Sequence, residues 1–281
     1  MRDILLIDNG SKQAEATISL RRIALALGDR LGEAVHPVSL LHADTVPADA
    51  LEGRPAETFE PLLRRRLAQG VRDFLLVPLF FGPTRAIKVF VPERIAALQA
   101  GYGPFAVRLA RELCPLPEGE PGLVEILLDH IGQVATAQGI EPRRVLLVDH
   151  GSPAPAVTAV RRWLGERLAW RLGPGTQLEE AVMERRGGTE YDFNGDLLED
   201  RLDALASLDP STPVILSMLF LSPGRHAGPG GDIAEICGRI ERLHPSFRIY
   251  PSPLVGGHPR LVHILADRVA EMENARPAPL A

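Results

Sequence analysis

Residues 145–152 read VLLVDHGS, an apolar run that ends in a short polar turn, and residues 4–11 repeat the pattern as ILLIDNGS. A run of large aliphatic residues closed by Gly-Ser is typical of a buried parallel strand. Glycine permits the tight turn that follows, and the serine is placed to cap the next helix. The chain therefore predicts the same strand, turn and helix twice, about 140 residues apart.

Two further matches follow in the same order and at a similar offset. Residues 79–86 (LFFGPTRA) correspond to residues 219–226 (LFLSPGRH), and residues 121–127 (PGLVEIL) correspond to residues 259–265 (PRLVHIL). A repeat of this length is that of a whole domain rather than of a solenoid unit. The sequence therefore predicts an internal duplication.

We place the two halves at residues 1–138 and 139–281. In each half, short apolar runs alternate with segments in which apolar residues recur every three or four positions, which indicates βαβ units. The expected fold class is α/β, with two tandem doubly wound parallel sheets. A Pro/Ala-rich tail, residues 275–281, is expected to fray. Strands are expected at residues 3–8, 34–41, 73–81, 105–109, 144–149, 178–184, 213–221 and 247–250.

Composition limits the function classes. The chain has 281 residues, of which 45% are hydrophobic and 24% charged, ordinary values for a globular protein. A net charge of −5, with no basic stretch that carries aromatic residues, argues against nucleic-acid binding. No apolar run approaches the roughly 20 residues of a membrane span, and the N-terminus does not resemble a signal peptide. We expect a cytoplasmic protein, active as a two-lobed monomer, with two reduced cysteines, Cys114 and Cys237, that belong to no metal-binding cluster.

Histidines distinguish the two halves. His150 and His226 in the second half correspond to Asn9 and Ala86 in the first. Both follow predicted strands, as does Glu184, and open parallel sheets bind ligands beyond the carboxyl ends of their strands. Imidazole and carboxylate groups together suit Co²⁺, Fe²⁺, Ni²⁺ or Zn²⁺. The alternative for each residue is an ordinary structural or solvated loop position.

Other polar residues lie near the same predicted edge. Arg225 and Arg85 occupy equivalent places in the two halves and could pair with substrate carboxylates, although a solvated loop arginine is an equal alternative. Ser152 as a nucleophile would need an adjacent base and a G-x-S-x-G turn; the sequence has neither, which disfavours a hydrolase. Residues 185–196, polar and rich in glycine, are expected to form a mobile loop after a strand.

Together these motifs resemble those of the sirohydrochlorin chelatases, the cobalt- and iron-inserting class II chelatases of cobalamin and sirohaem biosynthesis. The similar pattern is H-G-S after a strand, S-P-G-R-H about 70 residues later, a D-I helix start, and H-P-x-L-V before a last helix. The resemblance extends over essentially the whole chain, once per half. It implies the long form of the family, with two doubly wound lobes that face each other across a cleft.

The resemblance implies a lyase that inserts Co²⁺ or Fe²⁺ into sirohydrochlorin or a related tetrapyrrole. The metal is then a substrate, and no permanently bound cofactor is expected. His150 and His226 match the histidines that ligate the metal or accept the pyrrole protons, and Glu184 is similar in placement to an acidic residue of the family. Ser152 and Arg225 are candidates for binding the tetrapyrrole.

Arg85 is a further candidate for the tetrapyrrole, and Lys88 in the same loop adds positive charge. Asn9 and Ala86 depart from the family pattern, which implies a degenerate site in the first half and an active site in the second. The alternative function is a carrier of the same fold that binds tetrapyrrole or metal without turnover.

Overall fold

The computed structural model describes residues 2–274, so the tail expected to fray lies outside the described residues. The chain divides into two compact units. The first unit comprises the chain up to Pro115 together with the chain from Pro259 onward, and the second unit is Leu116–His258. Each unit contains one parallel four-stranded sheet covered by helices, which confirms the predicted α/β class.

The sheet of the first unit has the strand order β2-β1-β3-β4, and all its pairs are parallel. The central strand β1 is buried from Ile4 to Ile7, as its continuous apolar run predicts. A π-helical segment, Ala86–Phe90, leads into the third helix. The elements are β1 (Arg2–Asp8), α1 (Ala14–Leu31), β2 (Val35–Ser39), α2 (Phe59–Ala68), β3 (Asp73–Pro78), α3 (Val91–Tyr102) and β4 (Ala106–Leu109).

The sheet of the second unit has the corresponding order β6-β5-β7-β8, again all parallel. One face of this sheet forms a buried apolar core with the helices at residues 198–208 and 232–243. The eight strands of the two sheets lie within about three residues of the predicted bounds. The elements are α4 (Pro121–Gln138), β5 (Arg144–Asp149), α5 (Pro155–Leu172), β6 (Gln177–Val182), α6 (Leu198–Leu208), β7 (Val214–Met218), α7 (Asp232–Leu243) and β8 (Ile249–Pro251).

The two units do not coincide with the predicted halves, because the last helix of each half is exchanged. The helix α4 follows β4 in the chain but packs against α5 and β7 of the second unit. The helix α8 (Arg260–Asn274) follows β8 but packs against α1 and β3 of the first unit. A division at residue 138 therefore assigns both helices to the sheet that they follow rather than to the one that they cover.

Apolar spacing alone does not identify the buried faces of two helices. On α1, the spacing of Ile18, Ile23 and Leu27 indicates one apolar face, but Ile18 is 43% exposed, while Leu20 and Ala24 are buried. On α5, Val157 and Trp163 are only half-buried. Polar residues occupy part of the buried face of this helix, and the spacing of apolar residues does not identify them. In the described part of the chain, no helix is both long and apolar enough to span a membrane.

Candidate active site

The two histidines singled out from the sequence meet in the second unit. His150 directly follows β5, and His226 lies in the loop after β7, so both lie at the point where the strand order reverses. This switch point is where open α/β sheets bind their ligands. The imidazole rings of His150 and His226 are in edge-to-face contact, with centroids 4.6 Å apart and planes at 74°.

His150 lies between two hydrogen-bond acceptors. Its Nδ1 is 3.0 Å from the carbonyl oxygen of Gly151, and its Nε2 is 3.3 Å from Oε1 of Glu184. When Nδ1–H donates to the carbonyl in a neutral ring, the lone pair of Nε2 faces the Glu184 carboxylate. Two such lone pairs are stable side by side only with a proton or a metal cation between them. The side chains of His150 and Glu184 are 45% and 60% exposed, so solvent reaches this pair.

His226 has a carboxylate partner that the sequence analysis treated only as a helix start. Its Nδ1 is 2.6 Å from Oδ2 of Asp232, the first residue of α7. A carboxylate only accepts hydrogen bonds, so Nδ1 carries the proton and Nε2 of the neutral ring presents a lone pair. A carboxylate behind the ring fixes the orientation of metal-binding histidines in the same way. The signal available in the sequence was an aspartate six residues after the histidine.

The loop that carries His226 folds back onto the start of α7. The carbonyl oxygens of Arg225 and His226 accept hydrogen bonds from the backbone N–H groups of Asp232 and Ile233, at 3.1 Å each. This satisfies donors that every helix N-terminus leaves without a partner. Gly231 permits the close approach, since a Cβ there would lie 2.7 Å from the Arg225 oxygen. The histidine is thus held on the helix whose first residue orients it.

A tight backbone contact brings Glu184 beside His150. The N–H of Glu184 donates to the carbonyl oxygen of His150 at 3.1 Å. Gly151 has φ +90°, and a Cβ on it would lie 2.0 Å from the carbonyl oxygen of Glu184. Only glycine fits this position, and the closeness of the two backbone segments is what allows the two side chains to meet.

The remaining predicted residues lie as follows. The Arg225 side chain is 78% exposed and its Nε is 3.6 Å from Oδ2 of Asp232. The Oγ of Ser152 accepts a hydrogen bond from the N–H of Ala154 at 3.1 Å, so it stabilises the turn before α5 instead of capping the helix itself. Arg85 is exposed in the first unit, immediately before the π-helical segment.

The stretch 185–196 follows β6 as predicted, but it is not an irregular loop throughout. Residues Thr189–Asn194 form a 3-10 helix. Asn194 is buried and bonds both the N–H and the carbonyl oxygen of Ser152. The segment is thereby attached to the turn that follows His150.

The first unit repeats the backbone of this site without its chemistry. The N–H of Leu41 donates to the carbonyl oxygen of Asn9, just as Glu184 donates to His150. Gly10 approaches the carbonyl oxygen of Leu41 as Gly151 approaches that of Glu184. The first-unit equivalent of Glu184 is therefore Leu41. The equivalents of the histidine pair are Asn9 and Ala86.

Asp8, the first-unit counterpart of Asp149, is expected to lower the stability of the protein at neutral pH. Burial raises the pKa of Asp8 to about 6, and within residues 2–274 its Oδ1 has no hydrogen-bond partner. The unfolded chain releases this proton more easily than the folded one, so stability falls as the pH rises from about 4 through about 6, by about 2 to 3 kcal/mol. Asp8→Asn should therefore raise the melting temperature at pH 8, with the gain roughly halved at pH 5.

Asp3→Asn is the matched control for this measurement, because Arg66 donates to the Asp3 carboxylate at 2.8 Å and holds the pKa of that carboxyl below its usual range. That substitution weakens the charge pair and should lower the melting temperature. An Asp8→Asn protein no more stable than the parent at pH 8 would show that the Asp8 carboxylate is not destabilising.

The metal-ligating side chains of the described residues, those of the candidate site included, do not form a ready metal site. Among residues 2–274, no group of three or more His, Cys, Asp or Glu side chains is close enough to hold a metal ion. Cys114 and Cys237 are both buried. Burial raises the pKa of the Cys237 thiol to about 12, which leaves it unreactive at neutral pH.

Comparisons with known proteins agree with the geometry. Residues 144–272 match the family model CbiX. This stretch contains His150, Glu184, His226 and Asp232, so all the residues of the candidate site fall within the match. The predicted resemblance to the sirohydrochlorin chelatases is confirmed.

Solved structures of the same fold cover nearly the whole chain. The sirohydrochlorin chelatase SirB from Bacillus subtilis subspecies spizizenii in complex with cobalt is 17% identical, with a TM-score of 0.67 over 97% of this chain and 96% of that one. SirB from Bacillus subtilis with Fe³⁺ is 16% identical, with a TM-score of 0.67 over 97% of this chain and 96% of that one. CbiX, described as the terminal enzyme of sirohaem biosynthesis in denitrifying bacteria, is 17% identical, with a TM-score of 0.59 over 96% of this chain and 98% of that one. No curated protein sequence matches the chain.

Proposed function

We propose that this protein is a chelatase that inserts Co²⁺ or Fe²⁺ into sirohydrochlorin or a closely related tetrapyrrole. One observation carries the proposal: two histidines in ring contact, each with its own carboxylate partner, lie at the switch point of the unit that matches CbiX. The similar structures described with cobalt and with Fe³⁺ support cobalt or iron as the metal substrate.

The metal substrate would be held by the two imidazoles together with Glu184. Nε2 of His226 is available because Asp232 holds the proton on Nδ1. Nε2 of His150 and Oε1 of Glu184, 3.3 Å apart, form a pair that accommodates a cation between them. Nitrogen and oxygen ligands of this kind suit Co²⁺ and Fe²⁺. The exposure of both side chains leaves them able to turn toward an entering ion.

Proton transfer would use the same groups after the metal has left them. Insertion of a divalent metal into a free tetrapyrrole releases two N–H protons. The His150–Glu184 pair, vacated by the metal, accepts one of them, and Nε2 of His226 accepts the other. Histidine is suited to this exchange because its charge changes near neutral pH. Metal delivery and deprotonation would thus be successive tasks of one site.

The tetrapyrrole also carries peripheral carboxylates, which require cationic or hydrogen-bonding partners. Arg225 is one candidate, because it immediately precedes His226 and its guanidinium is exposed. A guanidinium binds a carboxylate through two parallel hydrogen bonds. Ser152 and, in the first unit, Arg85 and Lys88 remain predictions for the same role.

The test is an anaerobic absorbance assay of sirohydrochlorin mixed with the protein and with Co²⁺, Fe²⁺, Ni²⁺ or Zn²⁺ in turn. A conversion rate above that without enzyme, lost in a His150→Ala/His226→Ala variant, is the expected result and ranks the metals. Tight tetrapyrrole binding without metal-dependent conversion would instead favour the carrier function, which is worth testing because the first unit has Asn9 and Ala86 in place of the two site histidines.

Asp232→Asn is expected to weaken Co²⁺ binding by about tenfold or more, because partners behind a metal-binding histidine typically contribute 10- to 100-fold in affinity. An uncharged amide in place of the carboxylate holds the proton on Nδ1 of His226 less strongly, and it can also turn an N–H toward that nitrogen. The measurement is a Co²⁺ titration followed by visible absorption.

A second histidine–aspartate pair in the same unit provides the control. Nε2 of His244, which directly follows α7, is 2.7 Å from Oδ1 of Asp203 in the middle of α6, away from the switch point. Asp203→Asn should leave Co²⁺ affinity unchanged. Equal effects of the two substitutions would contradict the role assigned to Asp232.

A further inference from the structure

We infer that Arg161 is a positioning residue for the candidate site, which fixes His150 relative to Glu184; its kinetic consequences rest on the proposed function. Arg161 lies on α5 with a side chain only 2% exposed. Its guanidinium donates three hydrogen bonds to three different segments: Nη1 to Oδ1 of Asp149 (2.7 Å), Nε to Oε2 of Glu180 (2.9 Å) and Nη2 to the carbonyl oxygen of Asn194 (2.5 Å).

Each partner of Arg161 leads to the site. Asp149 precedes His150, and its Oδ1 also accepts the N–H of Gly151 at 3.1 Å. Glu180 lies on β6, the strand whose end carries Glu184. Arg161 therefore connects three segments. They are the turn that carries His150, the strand β6 that precedes Glu184, and the 3-10 helix Thr189–Asn194 that follows Glu184 in the chain.

Asn194 completes the arrangement between the returning segment and the turn after His150. Its Oδ1 accepts from the N–H of Ser152 and from Oγ1 of Thr158, at 3.0 and 3.1 Å. Its Nδ2 donates to the carbonyl oxygens of Ser152 and Tyr191, at 2.9 and 3.1 Å. Every polar atom of this buried amide has a partner, so it holds both segments in one geometry.

The first unit shows that the fold itself does not need this network. The helices α1 and α5 begin at equivalent positions, which makes Leu20 the counterpart of Arg161. Leu20 is buried, and the same sheet and the same turn form around it. Asp8, the counterpart of Asp149, has no arginine partner among the described residues. Buried ion pairs are often no more stabilising than apolar residues in their place, so a network confined to the unit with the histidines indicates a role in the site.

The test compares the parent with a variant that removes the network without leaving an unpaired buried charge, Arg161→Leu/Asp149→Asn/Glu180→Gln, and with Arg161→Lys as a second variant. Initial rates of Co²⁺ insertion into sirohydrochlorin give kcat and KM. We expect kcat to fall about tenfold or more, with KM for the tetrapyrrole nearly unchanged, since a shift of about 1 Å in a reacting group has effects of that order or larger. Arg161→Lys should recover part of the loss.

A buried arginine at the other end of the same strand provides the control. Arg144 begins β5, pairs with Asp209 at 3.5 Å and donates to the carbonyl oxygen of Thr212 at 3.3 Å. Arg144→Leu/Asp209→Asn should lower the melting temperature without lowering kcat. An equal kcat loss in this control would overturn the inference, because it would assign the effect to stability.

Two further measurements separate positioning from structure. In a double-mutant cycle, the network variant should add little to the loss caused by Glu184→Gln, because both disturb the same pair; full additivity would overturn the inference. A crystal structure of the network variant without metal should show the His150 Nε2 to Glu184 Oε1 distance changed by about 1 Å. An unchanged distance would overturn the inference even if the protein proved not to be a chelatase, whereas absent turnover with a changed distance would refute only the proposed function.

Discussion

Replacing either His150 or His226 with alanine is expected to reduce metal insertion by about 100-fold or more, the usual size of a lost general base. Each variant also removes one of the nitrogen ligands offered to the metal. The ring centroids of His150 and His226 are 4.6 Å apart, so the loss of one ring leaves a single imidazole to bind the metal. The measurement is the initial rate of Co²⁺ insertion into sirohydrochlorin, at saturating and at limiting Co²⁺.

The first unit provides the matched control, Asn9→Ala, at the position equivalent to His150. Asn9 is exposed at the end of β1, and the residue beside it is Leu41 instead of a glutamate. Its replacement should leave the rate within about twofold of the parent, since exposed substitutions rarely matter elsewhere in the chain. Similar losses in all three variants, or in none, would contradict the assignment of the chemistry to the second unit.

The strands and the placement of the histidines follow from the sequence because both depend on local patterns. Continuous apolar runs define buried parallel strands, and the carboxyl ends of such strands meet at one edge. The resemblance between VLLVDHGS and ILLIDNGS therefore gave both the duplication and the residue that differs between its copies. No long-range information was needed for that step.

The exchange of α4 and α8 could not be predicted from the same patterns. Leu123 and Ile126 in α4 correspond to Leu261 and Ile264 in α8, and all four are buried. Because the two helices have equivalent apolar faces, apolar periodicity does not indicate which of the two sheets each helix covers. Which sheet each one covers depends on the path of the connections, which the sequence pattern does not encode.

The polar network also escaped the sequence analysis, for a different physical reason. Apolar periodicity treats an arginine as a marker of the solvent face, yet Arg161 is buried because three separated segments supply acceptors for its guanidinium. Those acceptors are up to 33 residues away in the chain. Asp232 was missed similarly, since a helix-starting aspartate is ordinary until the histidine beside it is known.

Gly151→Ala is expected to lower both the stability of the second unit and the activity of the protein that remains folded. The new Cβ would lie 2.0 Å from the carbonyl oxygen of Glu184 at a residue with φ +90°. To relieve this clash, the end of β6 must move away from the turn that contains Gly151. That movement breaks the hydrogen bond from the N–H of Glu184 to the carbonyl oxygen of His150. Backbone strain combined with such a clash costs on the order of 3 kcal/mol. Melting curves and insertion rates per folded molecule are the measurements.

Gly10→Ala makes the same change in the first unit and separates the two effects. Gly10 has φ +84°, and its Cβ would lie 1.8 Å from the carbonyl oxygen of Leu41. The loss of stability should therefore be similar in the two variants, because the backbone geometry is the same. The insertion rate per folded molecule should fall only for Gly151→Ala, since only there does the displaced segment carry a carboxylate that meets a histidine. A matching loss of rate in Gly10→Ala would mean that the first unit takes part in the chemistry.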